Sequence, residues 1–251
     1  MTTSYYTSLH DCPGLLREGL PIITYHKLGP RPPGTRLKGL YVGEALFRRQ
    51  LGEWRDAGMN PGSLAEAGTA DGNPQGRVVL TFDDGFENVL RHGLAPLREH
   101  RFRAIQFLVA DLLGKTNEWE QREGEATERL MEPSQVREWM AAGHEIGAHT
   151  CTHPHLTQSP LAQAREEITA SRRKLEDLFG VPVQHFCYPY GDWNPAVRDL
   201  VAGAGYLTAC TTETGVNGAT ADRLALRRLT ARYASRNWKN LWALVKRKLA
   251  R

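Results

Sequence analysis

The chain has 251 residues, 41% of them hydrophobic and 24% charged, which is the composition of a globular protein that buries a substantial core. It contains no run of about eighteen apolar residues, so we expect no membrane-spanning helix. The formal net charge of +4 is unevenly distributed, because no acidic residue follows Asp222; any basic-surface behaviour belongs to the C-terminal tail, and no nucleic-acid partner is predicted.

The N-terminus and the cysteines indicate in which cellular compartment the protein is expected. The first ten residues lack both the basic and the apolar region of a secretory signal, so the sequence predicts a cytoplasmic protein. The cysteines are scattered without a close pair, which predicts reduced thiols rather than a disulfide framework or a zinc knuckle, at Cys12, Cys151, Cys187 and Cys210.

Short apolar runs alternate with amphipathic segments along the whole chain. Strands are predicted at 20–26, 78–82, 104–109, 144–149, 183–188 and 206–211. Helices are predicted at about 46–58, 89–100, 134–142, 160–180 and 195–202, and residues 60–76 are predicted to be a surface connection. This alternation is typical of a parallel sheet or barrel. No linker divides the chain, so we predict one domain over 1–251, with a core at about 20–230 and a basic helix at 235–251.

Two adjacent carboxylates follow the strand predicted at 78–82, in the stretch Val78-Val-Leu-Thr-Phe-Asp-Asp-Gly85. Neighbouring side chains on a strand point to opposite faces, so Asp83 and Asp84 can share a site only where the strand ends and twists. Catalytic groups occupy this position in α/β proteins. The alternative is an ordinary turn, for which Asp-Asp-Gly is equally suited.

The stretch His149-Thr-Cys-Thr-His153 carries two histidines four residues apart. On a helical turn these side chains lie on one face, where they could bind one cation together with a carboxylate and leave coordination positions open. Such a pair in isolation is more often surface decoration.

Two further segments have both a structural and a functional interpretation. The aromatic stretch 186–191 is either a core strand entering a turn or a groove wall at the same end of the sheet as the acids and histidines. The polar insertion 114–133 carries Trp119, which either covers a cleft or only fixes its own loop. The convergence of three strand ends favours a functional site.

Together, Thr81-Phe-Asp-Asp-Gly85, His149-Thr-Cys-Thr-His153 and Tyr188-Pro-Tyr-Gly191 resemble the three principal motifs of the polysaccharide deacetylase family (NodB homology, carbohydrate esterase 4). The resemblance extends from about Pro21 to Leu229. It implies a distorted (β/α) barrel and one divalent metal ion, with zinc favoured and cobalt, nickel, manganese or iron as alternatives. It also implies the ligands Asp84, His149 and His153, the general base Asp83, and substrate or oxyanion contacts from Tyr190 and Tyr188.

The sequence departs from the family pattern at two positions. No histidine follows His185, so the usual C-terminal acid is missing; Tyr25-His26 resembles the N-terminal Tyr-His of the permuted poly-N-acetylglucosamine deacetylase branch, which implies His26 as general acid, unless its role is structural. Cys187 stands where many members have an arginine that pairs with the base. Arg228 is predicted to replace that arginine, with Arg227 as its competitor.

The leading hypothesis is a metal-dependent hydrolase that removes N-acetyl groups from an amino-sugar glycan or glycan precursor. One alternative is a hydrolase of a small non-sugar amide or imide, and another is a glycan-binding module without catalysis. The tail helix at 235–251 is expected to pack on the barrel, the alternative being contact with an anionic membrane or a polyanionic glycan.

Overall fold

A computed structural model describes residues 5–9, 19–69, 76–121 and 124–232. Cys12 and the helix predicted at 235–251 lie outside these residues, and so do the predictions about what that helix contacts.

Parallel strands form the centre of the molecule. In chain order the described strands are β1 (Tyr5–Tyr6), β2 (Ile22–Tyr25), β3 (Lys27–Leu28), β4 (Tyr41–Val42), β5 (Asn60–Pro61), β6 (Arg77–Phe82), β7 (Ala104–Leu108), β8 (Glu145–Ala148), β9 (His185–Cys187), β10 (Thr208–Thr214) and β11 (Leu226–Ala231). Seven of the described strands form a closed barrel in the order β2, β6, β7, β8, β9, β10, β11, because β2 pairs with both β6 and β11. The predicted distorted (β/α) barrel is therefore confirmed.

Helices cover the outside of the barrel between successive strands. They are α1 (Glu44–Asp56), α2 (Glu87–His100), α3 (Glu118–Gln121), α4 (Pro133–Ala141), α5 (Leu161–Phe179) and α6 (Pro195–Gly203). Within the described ranges, no helix combines the length and the apolar character needed to cross a bilayer. Helix α4 begins at Pro133, not after Ser134, since proline suits the first helical position and Gln135 accepts a hydrogen bond from the Glu132 backbone N–H.

Several described elements were not predicted from the sequence, among them two strands that pair within the main sheet, β11 and β5. Strand β11 closes the barrel, yet its two adjacent arginines obscure the period-two pattern of a strand. The segment 60–76, predicted to be only a surface connection, contains β5, which pairs with β6, and a short 3-10 helix at Leu64–Glu66.

Alternation along β6 distributes its side chains between two cores. Val78, Leu80 and Phe82 join the layer between barrel and helices, whereas Val79 belongs to a smaller cluster inside the barrel. Continuing this alternation places Asp83 on the inner side, directly past the end of the strand. The strand pattern thus directs the first acid of the pair into the mouth of the barrel.

Aromatic packing fixes the ends of the strands that precede the acids. The Phe82 ring stacks on Tyr25 of β2 at 5.3 Å between centroids and meets Phe47 of α1 and Trp139 of α4 edge-on at 5.8 and 5.9 Å. Each buried aromatic contributes about 1.5–3 kcal/mol through its burial alone. The ends of β2 and β6 are therefore rigidly supported where the next residues leave the sheet.

The opposite end of the barrel supplies a prediction about pH. His144, just before β8, packs on the Trp139 ring at 4.2 Å, and burial, reinforced by the charge of Arg103, lowers its pKa to about 4. An unfolded histidine has a pKa of about 6.5, so the unfolded chain binds this proton more readily than the folded one. The contribution of His144 to stability is therefore complete above about pH 6.5 and is lost as the pH falls towards 4.

His144→Phe keeps a ring against Trp139 but cannot take up a proton. We expect its melting temperature to fall less between pH 7 and pH 5 than that of the wild type, measured by circular dichroism in matched buffers. Parallel melting-temperature curves for the two proteins over this range would contradict the assignment.

Candidate functional site

Side chains from four strand ends meet at one end of the barrel. His26 follows β2, Asp83 and Asp84 follow β6, His149 follows β8, and Tyr190 lies in the turn after β9. Because parallel strands present all their carboxyl ends at one mouth, residues far apart in sequence become neighbours there.

Asp84, His149 and His153 form a buried cluster suited to a metal ion. Asp84 Oδ1 lies 3.3 Å from His149 Nε2 and 3.4 Å from His153 Nε2. The three potential ligand atoms all lie within 4.8 Å of one another, and the exposed fraction of each residue is 5% or less. The predicted ligands are thus brought together, while their binding of a metal stays a prediction.

The segment joining the two histidines is not the helical turn that its spacing suggested. Thr150 and His153 both have left-handed backbones, with φ of 66° and 65°, and Thr150 Oγ1 accepts a hydrogen bond from the His153 N–H at 3.0 Å. In this irregular turn both imidazole Nε2 atoms lie within 3.4 Å of Asp84 Oδ1. The two histidines thus converge as the i, i+4 argument predicted, but not through a helical turn.

Glu167 of α5 holds that turn from behind. One carboxylate oxygen accepts hydrogen bonds from the backbone N–H groups of Cys151 and Thr152 at 2.8 and 2.9 Å, and the other accepts from the Thr152 hydroxyl at 2.6 Å. Left-handed conformations of non-glycine residues cost about 1–3 kcal/mol each, and they persist where surrounding contacts enforce them. Glu167 provides such contacts for the turn that carries both histidines.

Hydrogen bonding fixes the tautomer of His149 in a form that fits a cation. His149 Nδ1 lies 2.7 Å from the Cys187 carbonyl oxygen, which only accepts, so Nδ1 carries the hydrogen. In the neutral ring the lone pair of Nε2 then faces the Asp84 carboxylate, an arrangement that is favourable only with a positive charge between them. His153 Nδ1 is buried without a hydrogen-bond partner among the described residues. Imidazole and carboxylate donors in this arrangement fit a divalent metal ion.

The pKa shifts of Asp84 and His149, though not that of His153, describe the same preference for positive charge. Burial opposes ionisation of Asp84, but its hydrogen bonds with the two histidines outweigh burial and hold its pKa well below the usual value. Burial also opposes protonation of His149, but Cys187 and Asp84 raise its pKa well above the usual value. Burial lowers the pKa of His153 to about 4.

Asp83 is held by a buried arginine from the closing strand. Arg228 Nη1 and Nη2 donate to the two carboxylate oxygens of Asp83 at 2.7 Å each, and Arg228 Nε donates to the Thr211 carbonyl oxygen at 2.8 Å. Arg227 is exposed, and its Nε lies 3.6 Å from a Glu213 carboxylate oxygen. Arg228 is therefore the arginine that orients Asp83.

Because of this bidentate pair, Asp83 and Asp84 have different partners: an arginine for Asp83 and two histidines for Asp84. Burial would raise the pKa of Asp83, but the charge and hydrogen bonds of Arg228 outweigh burial and lower it. Asp83, His149 and Cys187 form a second group of potential ligands within 4.8 Å. Because Arg228 occupies both Asp83 oxygens and approaches the Cys187 sulfur at 3.1 Å, the Asp84 group is the better candidate for a metal ion, and its binding of one stays a prediction.

His26 lies beside Asp83 on the solvent side of the site. Its Nε2 is 3.8 Å from Asp83 Oδ2, and its side chain is 18% exposed. The residue thus lies next to the predicted base, and its predicted role as acid stays a prediction.

The two predicted tyrosines have different environments. Tyr190 is 41% exposed, has a left-handed backbone with φ of 59°, and its ring stacks on His155 at 3.8 Å. Tyr188 is buried, and its hydroxyl donates to the Leu224 carbonyl oxygen at 2.9 Å. The prediction that Tyr188 contacts substrate is therefore wrong, because its side chain points into the core.

Trp119, in the insertion after β7, lies against one residue of the candidate ligand cluster. It is half-buried, and its ring stacks on that of His153 with centroids 4.4 Å apart and planes 23° apart. Tyr190 meets the same imidazole edge-on at 4.6 Å. Two aromatic side chains thus flank one candidate ligand.

Sequence reasoning missed Glu167, although a signal existed. Glu167 lies on the apolar stripe of α5, between Ala164 and Ile168, where a carboxylate requires buried partners.

Comparisons with known proteins give a family match and several similar sequences. The sequence model of the family described as Polysaccharide deacetylase matches residues 70–209. YxkH of Bacillus subtilis is 24% identical over 214 residues, covering 84% of this chain and 70% of YxkH. A chitooligosaccharide deacetylase of Sinorhizobium fredii is 31% identical over 130 residues, which is 51% of this chain and 53% of that enzyme. The chain therefore spans only about half the length of that relative.

Solved structures support the fold. The deacetylase PplD of Streptococcus pyogenes, in complex with acetate, superposes with a TM-score of 0.75 at 23% identity, covering 89% of this chain and 96% of PplD. IcaB of Ammonifex degensii superposes with a TM-score of 0.73 at 21% identity, covering 90% and 96% of the two chains.

Removal of the Glu167 carboxylate should weaken metal binding. We expect Glu167→Ala to raise the dissociation constant for Zn²⁺ or Co²⁺ about 10- to 100-fold, the usual effect of losing a group that orients metal ligands. Glu167→Gln should retain most of the affinity, because its amide oxygen still accepts the two backbone hydrogen bonds. Isothermal titration calorimetry on the metal-free protein measures both.

Glu166→Ala, a change at the exposed neighbour on the same helix, is the matched control and should bind metal as the wild type does. Equal affinities for Glu167→Ala and Glu166→Ala would show that the turn does not need this carboxylate.

Proposed function

This chain belongs to the polysaccharide deacetylase family, and from that premise we propose that it is a metal-dependent hydrolase that removes N-acetyl groups from an amino-sugar glycan or glycan precursor. The observation that carries the proposal is the meeting, at one barrel mouth, of a ligand cluster and a separately held second aspartate. The separate contacts of the two aspartates support different roles for them.

Relatives support the choice of substrate class. Names of matched proteins include chitooligosaccharide deacetylases and the peptidoglycan N-acetylglucosamine deacetylase PgdA of Listeria monocytogenes, which is 22% identical over 173 residues. Both names describe polymers of N-acetylated amino sugars. An N-acetylated sugar unit is therefore the substrate element that we carry over to this chain.

The ligand cluster fits the chemistry that an amide requires. An N-acetyl carbonyl is weakly electrophilic, and a divalent ion held by Asp84, His149 and His153 would supply Lewis acidity and lower the pKa of a coordinated water. Zinc is the favoured ion, and cobalt, nickel, manganese and iron accept the same donors. All three residues are buried, so the ligands are shielded from competing water.

Asp83 acts as general base in this proposal. It is not needed as a ligand, and Arg228 holds both of its oxygens so that the carboxylate stays ionised and fixed in direction. It takes the proton of the attacking water as the carbon–oxygen bond forms. The main-chain N–H of Tyr190 donates to the negative oxygen that develops on the substrate carbonyl.

His26 acts as general acid. As the carbon–nitrogen bond breaks, the leaving amine needs a proton, and the partly exposed imidazole beside Asp83 donates it. Acetate and a free amino sugar are the products.

Acetate release tests the activity. Oligomers of N-acetylglucosamine should yield acetate with Zn²⁺ or Co²⁺ present and none after complete chelation, with recovery on adding metal back. Activity that is indifferent to metal removal would refute the mechanism. Tight binding of oligomers without acetate release would favour a binding module, and hydrolysis of cyclic imides but not of glycans would favour the small-amide alternative.

Asp83→Asn separates the base from the ligands. We expect turnover to fall below detection while the affinity for metal, measured by calorimetry, stays within about threefold of the wild type, because the ligand set is intact. Asp199→Asn, at an exposed aspartate of α6, is the control. If Asp83→Asn lost its metal, Asp83 would be a ligand rather than a base.

His26→Asn tests whether His26 is the general acid, by comparing substrates whose leaving groups do and do not need a proton. Amide hydrolysis should fall about 10²- to 10⁴-fold, the usual contribution of a positioned acid. Hydrolysis of 4-nitrophenyl acetate should change much less, because its phenolate leaves without a proton. Equal losses on both substrates would indicate a structural role for His26.

A further inference from the structure

A buried pair of a lysine and a glutamate lies next to the proposed site. Lys27 has no exposed surface, and its Nζ donates to Glu120 Oε2 at 2.6 Å. The ammonium lies 4.4 Å from the Phe86 ring centroid and 5.2 Å from that of Tyr41. An apolar and aromatic cage with a single carboxylate therefore surrounds this charge.

Glu120 is held on its other side as well. Asn117 Nδ2 donates to the same oxygen, Glu120 Oε2, at 2.6 Å and to the Ala126 carbonyl oxygen at 3.0 Å. Asn117 Oδ1 accepts from the Glu128 N–H at 2.7 Å. One asparagine thus ties Glu120 to both ends of the insertion, whose described residues 114–121 and 124–132 we call the roof segment.

The chain neighbours of this pair are the residues that face the reaction site. Lys27 directly follows His26, and Glu120 directly follows Trp119, which stacks on His153. Lys27 and Glu120 are 93 positions apart in sequence. A single ion pair thus joins the backbone that carries the proposed acid to the backbone that carries the covering tryptophan.

Net stability does not explain a buried ion pair. Removing two charges from water is unfavourable, and apolar replacements of similar volume are often as stable or more so. A directional contact between charges does, however, fix the relative position of two segments, which dispersion contacts between alkyl groups do not. The pair is better explained by geometry at the site than by stability.

We propose that Lys27 and Glu120 are positioning residues that fix the roof segment over the barrel mouth, and so set the place of Trp119 against His153 and of the strand end that bears His26. This inference rests on the proposed function, since it concerns the shape of the same site. The amide of the substrate would enter between the His26 side of the mouth and the two rings, Trp119 and Tyr190, that flank His153.

The test uses a neutral pair of nearly unchanged shape. In Lys27→Met with Glu120→Gln, the methionine suits the aromatic cage and the glutamine still accepts from Asn117, so the protein should fold with a melting temperature close to that of the wild type. What it loses is the charge contact between the two segments.

The first readout needs no activity. Co²⁺ quenches the fluorescence of a nearby tryptophan, and the difference between each protein and its Trp119→Phe derivative isolates the signal of Trp119. We expect the Co²⁺ quenching of Trp119 to fall at least twofold in the neutral pair, while the Co²⁺ dissociation constant from calorimetry changes less than threefold.

The second readout is kinetic. We expect kcat/KM for N-acetylglucosamine oligomers to fall at least tenfold, whereas Arg129→Met with Glu132→Gln should keep wild-type quenching and kinetics. Arg129 and Glu132 form an exposed ion pair within the roof segment, with Arg129 Nη2 3.0 Å from Glu132 Oε1, so this control removes a charge contact that does not reach Lys27. If the neutral pair folds poorly, Glu120→Gln alone is the second variant. It leaves an acceptor for Lys27, so the Co²⁺ quenching of Trp119 and kcat/KM should fall as in the neutral pair, but by smaller factors.

Two results would overturn the inference. Wild-type quenching and kinetics in the neutral pair would show that the charges position nothing. A loss of Co²⁺ affinity beyond tenfold together with a lowered melting temperature would show that the pair only maintains the structure. If the wild type releases no acetate, the proposed function fails, and the quenching experiment still decides this inference.

Discussion

The structure depends on one buried ion pair, that between Asp83 and Arg228. Both residues are almost fully buried, at 2% and 1% exposure, and they come from strands 145 positions apart in sequence. Each of these buried charges is compensated by the other, so the pair links the end of β6 to β11. Arg228, on the strand that closes the barrel, is therefore also the residue that orients the proposed base.

Backbone strain is concentrated around this pair. Among the described residues, the non-glycine positions with positive φ include three near the site besides Asp84, namely Thr150, His153 and Tyr190. Such conformations aim side chains and N–H groups in directions that a regular strand or helix does not permit. The surrounding rigid elements oppose the strain: the aromatic layer supports the ends of β2 and β6, and Glu167 of α5 holds the histidine turn.

The three functional elements of the site are supported independently. The ligand cluster relies on Glu167, the base relies on Arg228, and the proposed acid lies beside a segment that Lys27 joins to the roof. This separation means that one element can be altered while the others remain, so binding of metal, proton transfer and access of substrate are open to separate measurement. A barrel is well suited to it, because each strand end carries its own loop and each loop its own support.

The sequence alone determined the alternation of strands and helices and the position of the acid pair at a strand end, since these follow from local periodicity. The barrel and the pairing of both histidines with an acid were implied by the resemblance of three motifs in a fixed order. Only the tertiary structure decided which tyrosine is core, how the histidine turn bends and which arginine reaches Asp83. It alone revealed Glu167 and the contact between Lys27 and Glu120. The physical reason is that periodicity reports which face of an element is buried, whereas buried charges are satisfied by partners 16, 93 or 145 residues away, which no local pattern encodes.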